Sequence, residues 1–225
     1  MKVCSTTFIN EFTIHKLELS ELGSNCYVVQ RGSNAILVDP TTKACEILKF
    51  LESKKININL LVATHGHFDH ISAAQQIIDA DMADTLFVHQ SDIIEVKKAR
   101  SYMMMVLRQK MHTPKCEAIG TRQLSILEEM GLMLRHVGGH SKGSCVIHAA
   151  DFSFLISGDL ILHHSLKLTE FNKTESKKEF LNFGMWIKST FDPSATIFTG
   201  HGPNSTVEQE LFYNPKCLTE DKIEK

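Results

Sequence analysis

Residues 60–70, LLVATHGHFDH, pass from an apolar run directly into three histidines and an aspartate. The run predicts a buried strand, and the residues after it predict a loop at the strand's end. Because a loop that leaves a strand can turn alternate side chains toward one point, His65, His67, Asp69 and His70 are placed to surround a metal ion. Neutral imidazole and carboxylate are ligands that zinc accepts, at about 2.0–2.2 Å. A solvated polar loop with chance histidines is the weaker interpretation.

Three later segments each place a further residue of ligand type in a glycine-flanked turn. Residues 138–144 read GGHSKGS, residues 157–159 read SGD, and residues 200–203 read GHGP. Each segment follows a predicted apolar strand, and glycine lets the backbone approach closely at such turns. The candidate ligands are therefore His65, His67, Asp69, His70, His140, Asp159 and His201.

With these motifs the sequence resembles the metallo-β-lactamase superfamily, and within it the short, single-domain glyoxalase II-like hydrolases. The matching motifs cover most of the chain: Asn25-Cys-Tyr-Val, Val38-Asp-Pro, residues 64–70, His140, Gly158-Asp and Gly200-His-Gly-Pro. The resemblance implies an α/β (α+β) fold of the αββα type, in which two mixed β-sheets are flanked by helices and the site lies at one edge.

The resemblance also distributes the candidate ligands between two divalent metal ions. Its pattern assigns His65, His67 and His140 to one ion, and Asp69, His70 and His201 to the other. Asp159 would bridge the ions beside a hydroxide nucleophile, and Asp69 would be both a ligand and the group that orients this hydroxide. Zinc is the expected metal, and iron and manganese accept the same ligand set.

The expected reaction is hydrolysis of an acyl thioester, of glutathione or of another thiol, by attack of the metal-bridging hydroxide. A thiolate suits this chemistry because it leaves with little help from a general acid. Two alternatives stay open: a lactonase or other ester or phosphodiester hydrolase on the same dinuclear site, and a mononuclear-iron persulfide dioxygenase. The dioxygenases usually lack the His-Gly-Pro found at residues 201–203. A non-catalytic binding protein is the weakest alternative, because such relatives tend to lose ligands.

Several positions separate this chain from particular branches of the superfamily. Class B β-lactamases usually carry cysteine where Asp159 stands, and the diiron flavoprotein branch carries glutamate where His67 stands. Residues 161–169 lack the Gly-Arg-Thr/Ser-Asp motif that is usual in glyoxalase II-like members. Because the sequence ends soon after His201, we expect a single domain over residues 1–225, without the C-terminal helical domain that grips glutathione.

Candidates for substrate contact lie close to the predicted ligands. His163 and His164 follow Asp159 where relatives carry the arginine motif; the alternative is one buried and one solvated histidine. Lys142 is a candidate contact for an anionic substrate, although a solvated lysine is the more common case. Residues 91–111, rich in methionine and basic residues, form either a lid over the site or, as we prefer, an amphipathic helix packed on the core.

Composition narrows the function classes further. The 24 Lys+Arg and 26 Asp+Glu residues give a net charge of −2, so the basic excess that holds nucleic acid is missing. No apolar run reaches the ~20 residues that span a bilayer, and the N-terminus lacks the apolar core of a signal peptide. The six cysteines form no Cys-x-x-Cys pair, which suits reduced thiols. We therefore expect a cytoplasmic protein with a small-molecule thioester or ester as substrate and no nucleic-acid or membrane partner; the oligomeric state stays open.

Periodicity predicts the remaining elements of the second half of the chain. Helical spacing predicts a helix over residues 174–190. Short apolar runs predict strands at residues 124–127, 132–137, 145–149, 154–156 and 196–198.

Overall fold

The computed structural model describes residues 4–41, 43–165 and 173–214. In these ranges the strands are β1 (Cys4–Ile9), β2 (Phe12–Glu18), β3 (Asn25–Arg31), β4 (Asn34–Val38), β5 (Leu60–Val62), β6 (Leu86–Val88), β7 (Cys116–Ala118), β8 (Leu132–His136), β9 (Cys145–Ala149), β10 (Phe154–Gly158), β11 (Thr196–Thr199) and β12 (Ser205–Thr206). The helices are α1 (Ala44–Lys54), α2 (Phe68–Ile71), α3 (Ala74–Asp79), α4 (Ile93–Leu107), α5 (Thr121–Glu129), α6 (Lys173–Thr190) and α7 (Val207–Tyr213).

The first sheet contains β1 to β7 in chain order. Its first four strands form an antiparallel meander, whereas β4, β5, β6 and β7 pair in parallel. Parallel neighbours need crossover connections, and α1, the α2–α3 pair and α4 provide them in turn.

The second sheet has the order β12-β11-β10-β9-β8. Its pairs are antiparallel except for β10 and β11, which run parallel and are joined through α6. Both sheets are therefore mixed and flanked by helices, which confirms the predicted fold class.

Side chains of the central strands alternate between two apolar layers, as the period of two requires. Val28 and Leu37 pack among residues of α1, α3 and α4. Tyr27 and Val38, on the opposite face, pack against the second sheet. Leu155 points away from that interface and packs with residues of α6 and α7. The result is a helix–sheet–sheet–helix sandwich.

The strand predicted at residues 124–127 is wrong, because these residues lie in α5. Leu127 and Met130 are buried one helical turn apart and pack in the layer between the sheets. The helix begins after Gly120, whose N–H donates to the Gln123 side chain at 3.1 Å. Residues 124–127, LSIL, are too short to distinguish the two periods, so the packing of Leu127 and Met130 in the core decides the conformation.

The preferred interpretation of residues 91–111, a helix packed on the core, is confirmed for residues 93–107, which form α4. The outer face of this helix is not polar throughout, because Met104, Met105 and Val106 are exposed. Val96, Ala99 and Met103 are buried in the core between the first sheet and its helices, whereas Tyr102 is exposed. The helix ends at Leu107, after which the next residue adopts a left-handed φ of 55°. Among the helices of the described ranges, none has the length and apolarity that crossing a bilayer requires.

The carboxyl ends of β5, β8, β10 and β11 meet at one edge of the sandwich, where backbone hydrogen bonds join the two sheets. The N–H of Cys145 donates to the carbonyl of Thr64 at 2.8 Å, and the N–H of Asn25 donates to that of Gly200 at 2.8 Å. The hydroxyl of Tyr27 donates to the carbonyl of Thr199 at 2.6 Å. The candidate ligands lie at this joined edge.

Candidate metal centre

Three histidines from two loops form the first group of candidate ligands. His65 and His67 follow β5, and His140 lies in the connection between β8 and β9. One ligand nitrogen from each ring lies within 4.8 Å of the other two. Nε2 of His140 is 3.0 Å from Nδ1 of His67.

Asp69, His70 and His201 form the second group, again with ligand atoms within 4.8 Å of one another. Asp69 and His70 lie on α2, and His201 follows β11. Nε2 of His201 is 3.2 Å from Oδ2 of Asp69 and 3.3 Å from Nε2 of His70.

The carboxylate of Asp159 lies between the two groups. Its Oδ1 is 3.3 Å from Nε2 of His70. Its Oδ2 is 3.4 Å from Nε2 of His201 and 3.6 Å from Nε2 of His140. The fold thus brings all seven sequence-predicted ligand residues into one cluster, with a single carboxylate in reach of both groups; their role as metal ligands stays a prediction.

The outer nitrogens of His70 and His201 are held by oxygen acceptors. Nδ1–H of His70 donates to Oδ2 of Asp39 at 3.1 Å, and Nδ1–H of His201 donates to the carbonyl of Leu22 at 3.0 Å. Because a carbonyl or an ionised carboxylate only accepts, the lone pair of each neutral ring lies on Nε2 and faces the cluster. Acceptors of this kind orient ligand imidazoles and increase their basicity.

His65 is oriented in the same way through a hydroxyl. Oγ1 of Thr64 donates to Asp39 at 2.8 Å, so it accepts from Nδ1–H of His65, 3.1 Å away. Nε2 of His65 is buried and has no hydrogen-bond partner in the part of the chain that the structure describes. A buried nitrogen without a partner is costly, and this nitrogen points into the first ligand group. The residues therefore fit a divalent cation.

Burial and neighbouring charges move the pKa values of the carboxylates and of two histidines in directions that suit a cation, whereas the pKa values of His70 and His201 are raised. Burial lowers the pKa of His65 and His67, and nearby imidazoles lower it further. Burial alone raises the pKa of Asp69 and Asp159, but His70 and His201 together outweigh it, and both pKa values stay below the ordinary value. Burial alone lowers the pKa of His70, yet the two carboxylates raise it well above the ordinary value. The cluster thus has ionised carboxylates that attract positive charge.

Two buried carboxylates that support the loops have no role in the sequence prediction. Asp39 binds Thr64 and His70, as described above. Asp92, which is completely buried, accepts from Gly66 N–H at 2.8 Å, Ser141 Oγ at 2.6 Å and Gly143 N–H at 2.7 Å. In the sequence, Asp92 is an acidic residue just before a helix. Acidic residues are common at this position, so the sequence does not indicate its role.

The three residues predicted to contact substrate lie outside the seven-residue cluster. Lys142 is exposed, and its carbonyl accepts from Nε2 of His136 at 2.8 Å. His163 and His164 are grouped instead with Glu210 of α7. Substrate contact by these residues stays a prediction.

A sequence profile described as "Metallo-beta-lactamase superfamily" matches residues 19–201 of the chain. A relative from Mycobacterium leprae, the uncharacterized protein ML0493, is 24% identical over 207 residues, which cover 86% of this chain and 93% of the relative. Hydroxyacylglutathione hydrolase GloC of Haemophilus influenzae is 21% identical over 210 residues, covering 90% of this chain and 96% of GloC.

Two solved structures are similar to this chain over most of their length. The B3 metallo-beta-lactamase BLEG-1 superposes with a TM-score of 0.75 at 22% identity, covering 92% of this chain and 99% of BLEG-1. TTHA1623, whose structure is in a di-iron-bound form, gives a TM-score of 0.73 at 22% identity, covering 89% and 98%. At such identities these likenesses show the fold alone.

Proposed function

This chain belongs to the metallo-beta-lactamase superfamily, and we propose that it is a dinuclear metal-dependent hydrolase that cleaves acyl thioesters. The observation that carries the proposal is the position of Asp159, whose two oxygens lie within 3.6 Å of imidazole nitrogens from both ligand groups. A carboxylate placed in this way has room for a cation on each side.

The residues of each group would hold one ion. The first ion would take His65, His67 and His140, the second would take Asp69, His70 and His201, and Asp159 would contact both. Bound divalent ions supply Lewis acidity and lower the pKa of water, so that hydroxide is available near neutral pH.

Asp69 orients the nucleophile in this proposal. Its Oδ2 accepts from the Ser24 hydroxyl at 3.0 Å and lies 3.2 Å from Nε2 of His201, so the carboxylate is held from two sides. Because its pKa is lowered, it is ionised at neutral pH and accepts a hydrogen bond from an attacking water. The exposed Lys142, two residues after His140, is available to an anionic part of the substrate.

The choice of a thioester rests on the leaving group. A thiol with a pKa of about 8.5 departs largely as the thiolate, so the reaction does not depend on a general acid in the cluster. The name of the Haemophilus influenzae relative, a hydroxyacylglutathione hydrolase, supports glutathione thioesters as the first substrates to test.

The test is a comparison of substrates on protein loaded separately with zinc, iron or manganese. Thiol release from S-D-lactoylglutathione and from a thioester without glutathione is measured beside opening of a lactone. The variants are Asp159→Ala and, as a matched control, His112→Ala, which removes an exposed histidine outside the cluster.

We expect thioester turnover by the wild type and by His112→Ala, and its loss in Asp159→Ala. Turnover of the lactone alone would contradict the thioester assignment while leaving a hydrolytic centre. Full activity in Asp159→Ala, or in protein that holds no metal, would overturn the dinuclear mechanism.

A further inference from the structure

A second cluster of potential ligands lies between the segment after β10 and helix α7. It contains His163, His164 and Glu210, and one ligand atom of each lies within 4.8 Å of the other two. None of these residues belongs to the seven-residue cluster. Metal binding is a different assignment for His163 and His164 from the substrate contact that the sequence predicts.

The carboxylate of Glu210 is buried, with only 1% of the residue exposed. Its Oε1 accepts from the backbone N–H of His164 at 3.0 Å and from the hydroxyl of Ser205, and its Oε2 accepts from Nδ2 of Asn214 at 2.7 Å. All three donors are neutral. Among the side chains that the structure describes, those of residues 5–41, 43–165 and 181–214, no cationic group forms an ion pair with Glu210. Because these donors are neutral, a cation beside the buried carboxylate would stabilise it further.

The imidazole of His163 has a nitrogen that could bind such a cation. Its Nδ1 is buried and lacks a hydrogen-bond partner among the described residues. The ring stacks on His164 with centroids 3.7 Å apart, and His164 stacks in turn on Tyr213 with centroids 3.6 Å apart. Two imidazoles are thus held beside each other at the buried carboxylate.

We propose that His163, His164 and Glu210 form a separate binding site for a divalent transition-metal ion such as Zn²⁺. A single ion would be a partner for both Glu210 and His163, because it neutralises the carboxylate and accepts the lone pair of Nδ1. Two imidazole nitrogens and one carboxylate oxygen form a ligand set that zinc takes in proteins. His164 is exposed, so an ion can enter from solvent. An ion bound here ties the segment after Asp159 to helix α7.

The test counts zinc ions per chain. The full-length protein is stripped with a chelator, loaded with Zn²⁺, freed of excess metal and analysed by mass spectrometry of the element. His163→Gln removes one ligand while keeping a polar side chain, and Glu210→Gln removes the buried charge. His112→Gln, at an exposed histidine, is the matched control, and circular dichroism checks that each variant is folded.

We expect the wild type and His112→Gln to hold one more zinc ion per chain than His163→Gln and Glu210→Gln. This difference of one zinc ion does not depend on how many ions the seven-residue cluster retains. The experiment therefore tests the third site separately from the proposed dinuclear centre. Equal zinc content in the wild type and in folded His163→Gln would overturn the proposal and would leave a water or a proton as the partner of His163. Should Glu210→Gln not fold, His163→Gln and His164→Gln decide the result.

Discussion

The buried carboxylate of Asp92 accepts a hydrogen bond of 2.8 Å from the backbone N–H of Gly66, the residue between His65 and His67. The same carboxylate accepts from the N–H of Gly143, at 2.7 Å, in the loop that carries His140. One side chain at the start of α4 therefore sets the distance between two loops that together provide the first ligand group.

Asp92→Asn should weaken metal binding to this group. An amide keeps one accepting oxygen but replaces the other with an NH₂ group, which repels an N–H donor, so at least one loop loses its support. Loss of an outer partner of this kind usually costs about 10–100-fold in metal affinity. Competition with a chelator measures the change, and exposed Asp84→Asn is the control. An unchanged affinity in a folded Asp92→Asn protein would show that the loops hold their positions without it.

Gly200→Ala should disturb the carboxylate of Asp159. A Cβ at Gly200 would lie 2.7 Å from the carbonyl carbon of Gly158 and in collision with Oδ1 of Asp159. Because the backbone of Gly158 cannot move without disturbing β10, we expect the side chain of Asp159 to shift and turnover to fall at least about tenfold. The same substitution at Gly120, where the nearest atom is 3.5 Å away, should leave turnover unchanged. Wild-type turnover in Gly200→Ala would contradict the bridging position of Asp159.

Tyr27→Phe should lower the stability of the sandwich without removing the ligands. The phenol of Tyr27 is completely buried and donates to the carbonyl of Thr199 in the second sheet at 2.6 Å. That carbonyl keeps a second donor, Nδ2 of Asn25, at 2.8 Å, so the loss should be close to that of one hydrogen bond, about 1 kcal/mol. Urea unfolding measures the free energy of unfolding, with exposed Tyr102→Phe as control. A stability equal to the wild type would mean that this bond does not help to join the sheets.

His148 should make the fold sensitive to acid. Burial lowers the pKa of His148, Arg135 acts in the same direction, and the hydrogen bond to the carbonyl of Ala149 opposes them. With a folded-state pKa below the unfolded value of about 6.5, the unfolded chain binds the proton first as the pH falls. Stability is therefore complete above pH ~6.5 and is lost as the pH falls toward the folded-state pKa.

Replacing this histidine with glutamine should reduce the acid effect. His148→Gln does not titrate, so the difference in unfolding midpoint between pH 7.5 and pH 5.5, each about one unit from the unfolded pKa, should be smaller than in the wild type. Exposed His112→Gln should behave like the wild type. An identical acid loss in His148→Gln would assign the effect to other histidines.

Sequence patterns predicted the parts of this protein that depend on neighbouring residues in the chain. The apolar run at residues 60–63 and the ligand-type residues after it lie within one segment, so their order alone placed the ligands at a strand end. The family motifs placed the remaining candidate ligands in turns, and the structure brings all seven residues together. The helix at residues 121–129 was predicted in part as a strand. Its few apolar residues are compatible both with the strand period of two and with the helical period of 3.6.

Tertiary structure alone decided which groups hold the candidate ligands in place. Asp39 and Asp92 are 25 residues or more from the histidines they support, directly or through a loop. The local sequence around an aspartate at a strand end or a helix start does not show whether the carboxylate faces solvent or another loop. Their hydrogen bonds exist because both sheets end at one edge, and this depends on strand pairing over long separations. The cluster of His163, His164 and Glu210 also depends on tertiary structure, since His164 and Glu210 are 46 residues apart in the chain. Short-range periodicity determines which face of an element is buried, whereas the contacts between distant segments are determined when those faces pack.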